Sequence, residues 1–180
     1  GIEIYASLSG NQTLVYITKP LLMPILMILA YTKNSKNRLL YGALFFSFLG
    51  DVFLMFNNYF IPGLLSFLVA QVCYIFLFKP QFKLSPSIIL LFGVSTLLFL
   101  AYIFSGIQKD MQIPVVAYCI IITMMGVMAG SRQTITKFSY GFVLMGAILF
   151  IISDSLIAFD KFYSPIAMPS LFVMSTYGIA

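Results

Sequence analysis

The sequence predicts an all-α fold, a polytopic transmembrane helix bundle, and three observations lead to this prediction. Of its 180 residues, 61% are hydrophobic and only 8% are charged, whereas about a quarter of the residues in a soluble domain are charged. The mean hydropathy is +1.04, and the apolar residues fall in runs near the roughly 20 residues that a membrane helix needs. These runs do not alternate with a period of two, so strands are not expected.

Seven apolar runs are visible, and no linker or low-complexity tract divides them, so one domain is predicted over residues 1–180. Each run ends where a short polar connection interrupts it. We name the runs spans A to G; in chain order they cover residues 14–31, 39–56, 60–78, 87–106, 113–130, 138–159 and 166–180. If a further helix precedes Gly1, the full protein has eight spans with both ends inside.

Basic residues are concentrated in alternate connections. The connections after spans A, C and E carry seven of them, namely Lys33, Lys36, Arg38, Lys79, Lys83, Arg132 and Lys137. The opposite side has three: Lys19, Lys109 and Lys161. The positive-inside rule places the richer side in the cytoplasm, so span A enters from outside. The net charge of +5 then reflects topology rather than a nucleic-acid partner. We expect the bacterial inner membrane rather than the endoplasmic reticulum.

The residue counts exclude several kinds of site. The chain has no His, which excludes Ser-His-Asp and Cys-His catalysis and ligation of a metal by His. Its two Cys residues, Cys73 and Cys119, lie inside apolar runs and are too few for a structural zinc site. We therefore predict no metal and no other cofactor.

Two aspartates lie inside predicted spans, Asp51 in span B and Asp154 in span F. A carboxylate in a membrane helix is costly, so it indicates a functional site. Each lies five residues before the outer end of its span, at a depth of about 7–8 Å. Lys19 and Tyr118 lie five residues into spans A and E from the same side. The four side chains are thus predicted to share one layer in the outer half of the bilayer.

A weak internal repeat relates the two halves of the chain. At an offset of 103 residues, Asp51 matches Asp154 and Tyr74 matches Tyr177, together with Phe56 and Phe159, Pro62 and Pro165, and Leu68 and Leu171. The repeat favours a 4+4 parallel arrangement of helices. Gln71 and Tyr74 lie one turn apart on span C, and Tyr177 lies at a similar depth on span G. Such polar groups either bond to neighbouring helices or line a cavity.

Two buried carboxyls near one cation do not easily both ionise, so one acid and one base are expected side by side. Such a pair suits acid-assisted hydrolysis. Vinyl-ether or acetal cleavage and proton-coupled transport both remain open, as does an inert ion pair of Lys19 with one aspartate. Intramembrane aspartyl proteolysis is disfavoured, because its Tyr-Asp and Gly-x-Gly-Asp motifs are missing around Asp51 and Asp154.

Several short segments, in order along nearly the whole chain, resemble the YhhN-like lysoplasmalogenase family. They are Lys19-Pro20-Leu21, Gly50-Asp51-Val52-Phe53-Leu54-Met55, residues 63–68 followed by Tyr74, residues 146–155 with Ser153-Asp154, and Met174-Ser175-Thr176-Tyr177. The resemblance implies an eight-helix membrane enzyme that hydrolyses the vinyl ether bond of lysoplasmalogens. The products would be a fatty aldehyde and a glycerophospho-base.

By this resemblance, Asp51 and Asp154 are the expected catalytic acid/base pair. The expected substrate-binding residues are Lys19, Gln71, Tyr74, Tyr118, Ser153 and Tyr177. Gln71 and Tyr118 are included because of their positions in spans C and E, and the other four because of the resemblance. The sequence departs from the family at Gln71, where His is usual, and at Gly178, where a second Tyr is common. A lysophospholipid substrate and membrane lipid are the expected partners. A proton-coupled transporter of small solutes or lipids and a non-catalytic lipid-binding protein are the alternatives.

Overall fold

The structure is a computed structural model, and it describes residues 23–32, 37–56, 58–79, 83–132 and 137–163. For residues 137–139 it describes the backbone alone. Span G and most of span A, with Lys19 and Tyr177, lie outside the described residues. The predictions made for those residues therefore stay predictions.

The described residues form helices joined by short connections. In chain order the helices are α1 (Met23–Thr32), α2 (Arg38–Leu54), α3 (Phe60–Phe78), α4 (Pro86–Ile103) with a 3-10 turn (Phe104–Gly106), α5 (Lys109–Gly130) and α6 (Lys137–Phe162). Four stretches are long and apolar enough to cross a membrane, and they match spans C, D, E and F: Phe60–Phe78, Pro86–Gly106, Lys109–Gly130 and Tyr140–Phe162. The all-α, multi-pass character is confirmed for this part of the chain, while the count of seven spans and the 4+4 repeat stay predictions.

Residues at the helix ends explain where two of the helices begin. The side chain of Asn37 accepts a hydrogen bond of 3.1 Å from the backbone N–H of Leu39, which satisfies one of the free donors in the first turn of α2. Pro86 occupies the first turn of α4, where its missing N–H costs nothing and its fixed φ suits a helix. The predicted polar connections therefore also supply the signals that start the next helices.

The chain divides after Leu77 into two compact units. In the first unit, α2 and α3 pack against each other at small residues. A Cβ at Gly50 would lie 2.6 Å from the Phe67 ring, and one at Gly63 would lie 2.8 Å from the Leu54 side chain. Glycine allows this close approach, as is common between membrane helices.

In the second unit, α5 packs against both α4 and α6. The hydroxyls of Thr96 and Thr123 are 2.8 Å apart and link α4 to α5. A Cβ at Gly126 on α5 would lie 2.8 Å from Ile151 of α6 and 2.9 Å from the ring of Phe92 on α4. The three helices therefore meet at Gly126.

Two of the basic connections also meet in the second unit. The backbone N–H of Lys83 donates to the carbonyl of Ser131 over 2.9 Å, which joins the connection before α4 to the one after α5. The Arg132 guanidinium lies 5.1 Å from the centre of the Phe78 ring, and burial lowers the pKa of this arginine. The contact between these connections agrees with their predicted location on one side of the membrane.

Candidate functional site

Asp51 is buried inside the first unit. Only 2% of its surface is exposed, although it lies in a helix whose other residues are mostly apolar. Ser47 lies one turn earlier on the same face of α2, because residues four apart in a helix are neighbours. Ser47 is also fully buried. The face of α2 that packs inside the unit thus carries a carboxyl and a hydroxyl.

The register of α2 against α3 shows which residues lie opposite this face. Gly50 approaches Phe67, and Leu54 approaches Gly63. Higher residue numbers on α2 therefore lie opposite lower residue numbers on α3, so the two helices are antiparallel. Continuing this register by one turn brings Ser47 beside Ala70, which is completely buried. Gln71 and Tyr74 follow on the same face of α3.

Gln71 is completely buried, with 0% of its surface exposed. Neither its Nε2 nor its Oε1 atom finds a hydrogen-bond partner among the described residues, and the same holds for the Oγ atom of Ser47. Tyr74 is half-buried; its side chain approaches Ser47 without the geometry of a hydrogen bond at that Oγ. The predicted polar residues of span C therefore face the interior of the first unit rather than lipid.

Asp154 is held by a tyrosine inside the second unit. The hydroxyl of Tyr118 on α5 donates a hydrogen bond to Oδ2 of Asp154 on α6. Tyr118 is 7% exposed, and the neighbouring Ser153 is completely buried. The structure thus brings together two residues that the sequence predicts at one depth, whereas their chemical roles stay predictions.

The structure also identifies two buried polar residues that were not predicted from the sequence, of which Ser47 lies one turn from Asp51. Ser47 and Ser66 are buried polar residues of α2 and α3, and neither was singled out from the sequence. For Ser47, the spacing of four residues from Asp51 was the available signal. Among the described residues, no group of three or more His, Cys, Asp or Glu side chains is placed to hold a metal ion.

Comparison with known proteins gives a consistent assignment. The sequence model of the YhhN family matches residues 14–180. Human lysoplasmalogenase TMEM86B is 34% identical over 144 residues, which is 80% of this chain and 60% of the human protein. The rat protein of the same name is 31% identical over 90% of this chain and 66% of its own length. Bovine lysoplasmalogenase TMEM86A is 33% identical over 83% of this chain and 64% of its own length.

The chain thus spans about 60–66% of the length of these relatives. No solved structure is detectably similar to it. The family match covers more than nine tenths of the sequence, including Asp51, Gln71, Tyr118 and Asp154. This chain belongs to the YhhN family.

Proposed function

We propose that this protein is an integral-membrane lysoplasmalogenase. It hydrolyses the vinyl ether bond of a lysoplasmalogen and releases a fatty aldehyde and a glycerophospho-base. Membership of the YhhN family and the relatives named lysoplasmalogenase support this function. The observation that carries it is that each unit holds one aspartate on an apolar helix beside other buried polar groups.

A vinyl ether needs an acid first and a base second. Protonation of the β-carbon of the double bond gives an oxocarbenium ion. Water then adds to the carbon next to the ether oxygen and loses a proton, which forms a hemiacetal. The hemiacetal collapses when its hydroxyl loses a proton and its ether oxygen takes one, which breaks the C–O bond and separates the aldehyde from the alcohol. Paired carboxyls perform a comparable sequence in glycosidases, where one donates a proton and the other stabilises the cation or activates water.

The contact between Tyr118 and Asp154 suggests how these roles are divided. The Tyr118 hydroxyl donates to Oδ2 of Asp154, and this bond suits an ionised carboxylate, because a carboxylate only accepts hydrogen bonds. We therefore assign the base role to Asp154 and the proton-donor role to Asp51. The roles proposed for Lys19, Tyr74, Ser153 and Tyr177 are to bind the phosphate and orient the headgroup.

Proton-coupled transport is the alternative function for the same aspartates. Transporters of this kind commonly use helices that are broken near the middle of the membrane. In the described part of the chain, α3 runs unbroken from Phe60 to Phe78, and its Pro62 lies in the first turn. This continuity favours hydrolysis over transport.

The experiment is aldehyde release by the purified full-length protein in detergent, where no proton gradient exists. The substrate is a lysoplasmalogen, and the matched control is the same lysolipid with a saturated alkyl ether, which has no double bond to protonate. We expect aldehyde from the vinyl ether alone. If no lysoplasmalogen releases aldehyde, whether it carries ethanolamine or choline, the proposed function is wrong, and proton-coupled flux in liposomes becomes the reaction to measure.

A further inference from the structure

Two buried polar side chains in the first unit are not explained by helix packing. Ser47 and Gln71 are both completely buried, yet the Ser47 Oγ and both amide atoms of Gln71 lack hydrogen-bond partners among the described residues. Leaving such a group unsatisfied costs about 1–3 kcal/mol. A helix pair that needed only packing would place Ala or Leu at these positions.

Ser66, on the same helix pair, shows the usual solution for a buried hydroxyl. Its Oγ donates to the carbonyl of Pro62 in its own helix over 2.9 Å, and it is nearly as buried as Ser47, with 9% of its surface exposed. Serine in a helix can make this bond without any help from its neighbours. The Ser47 hydroxyl does not make it, so its capacity to form hydrogen bonds is unused among the described residues.

The chemistry of the two side chains defines the ligand. Ser47 offers a hydroxyl that donates and accepts, and Gln71 offers an amide that donates and accepts, and neither carries a charge. Asp51 lies one turn from Ser47 and becomes negatively charged once it has donated its proton, which disfavours a phosphate or another anion at this position. We propose that Ser47 and Gln71 form a binding site for a neutral hydroxyl group beside Asp51.

This inference deepens the proposed function and rests on it. In vinyl-ether hydrolysis of a lysolipid, two neutral hydroxyl groups lie close to the reacting carbons. One belongs to the attacking water, and the other is the free glycerol hydroxyl that distinguishes a lysolipid from a diradyl lipid. Both offer the same hydrogen bonds, so the site accepts either on chemical grounds, and kinetics separate the two sources.

The experiment measures kcat and KM for the wild type, Ser47→Ala and Gln71→Met with two substrates. One substrate is a lysoplasmalogen, and the other is its analogue with hydrogen in place of the free glycerol hydroxyl. Ser66→Ala is the matched control, because it removes a nearly as deeply buried hydroxyl that already has a partner. The melting temperature of each variant is measured in the same detergent.

If the site holds the lipid hydroxyl, the analogue and each variant separately lower kcat/KM about tenfold, as expected for one lost hydrogen bond. A variant assayed with the analogue should then have a kcat/KM only slightly below that of the wild type with the analogue. If the site holds water, both variants lower kcat about tenfold with either substrate and leave KM unchanged. In both cases Ser66→Ala keeps wild-type kinetics, and Ser47→Ala does not lower the melting temperature.

The proposal is overturned if Ser47→Ala and Gln71→Met match the kinetics of Ser66→Ala. It is also overturned if their losses of activity only follow a lowered melting temperature, because that result indicates a structural role. A wild type that releases no aldehyde contradicts the proposed function instead. In that case the lysolipid must still raise the melting temperature more in the wild type than in Ser47→Ala, and equal shifts overturn the hydroxyl site as well.

Discussion

Gly50→Ala tests the packing that positions Asp51. A Cβ at Gly50 would lie 2.6 Å from two carbons of the Phe67 ring and 2.9 Å from a third, whereas ordinary contacts begin at 3.4 Å. The ring or the helix must therefore move by about 0.8 Å. Phe67 is only 4% exposed, so its ring has little free space. Overpacking of this kind costs about 1–3 kcal/mol.

The assay is thermal unfolding of the purified protein in detergent, followed by aldehyde release. A loss of about 2 kcal/mol corresponds to a melting temperature lowered by roughly 4–8 °C in a chain of this size. Because α2 shifts against α3, we also expect a lower kcat. The matched control is Gly93→Ala on α4, where a new Cβ would meet nothing within 4 Å; there Ala should stabilise the helix by about 0.5–1 kcal/mol.

A second variant distinguishes overpacking from other causes. Phe67→Leu shortens the side chain that the new methyl group would touch, so it should offset part of the loss caused by Gly50→Ala. The two changes should then be clearly non-additive, as expected for residues in contact. If Gly50→Ala melts at the same temperature as Gly93→Ala, the close packing of α2 on α3 is refuted.

Two further predictions concern the second unit. Tyr118→Phe removes the hydrogen bond to Asp154 and should lower kcat by about 10-fold or more, because bonds to charged groups contribute about 1.5–3 kcal/mol. Its control is Tyr140→Phe, which removes a hydrogen bond of 2.7 Å to the Gly130 carbonyl and should lower the stability of the protein without lowering kcat. If both variants lower kcat equally, the role of Tyr118 is contradicted. Gly126→Ala adds a methyl group 2.8 Å from Ile151 and 2.9 Å from Phe92. It should lower the melting temperature, since three helices meet there. An unchanged melting temperature would contradict close packing of the three helices at Gly126.

The positions of the helices could largely be predicted from the sequence, because polar connections interrupt the apolar runs. Span C and α3 agree at both ends, over residues 60–78. Span E begins at residue 113, whereas α5 begins at Lys109, because its first turn is polar and hydropathy does not detect it. Asp110 in that turn is suited to a helix N-terminus. The end of α6 was likewise predicted too early, before Asp160 and Lys161.

The candidate site could be predicted only in part. Asp51 and Asp154 could be identified because they are acidic residues inside apolar spans. Tyr118 could be placed near Asp154 because both lie five residues from the outer ends of their spans. Ser47 was missed, because its spacing of four residues from Asp51 puts it on the same helix face but does not show that this face is buried against α3. The register of the two helices depends on the contacts of Gly50 and Gly63 with Phe67 and Leu54, and side-chain shape decides such contacts. Hydropathy and spacing do not contain this information.

The most direct test of the proposed function compares aldehyde release by three aspartate variants. Asp51→Asn and Asp154→Asn remove the two intramembrane carboxyls, whereas Asp160→Asn removes an acid near the end of α6 and is the matched control. We predict background release from the first two, provided that they keep the wild-type melting temperature, and near wild-type release from the third. Wild-type release from either folded Asp51→Asn or folded Asp154→Asn would contradict catalysis by these two carboxyls.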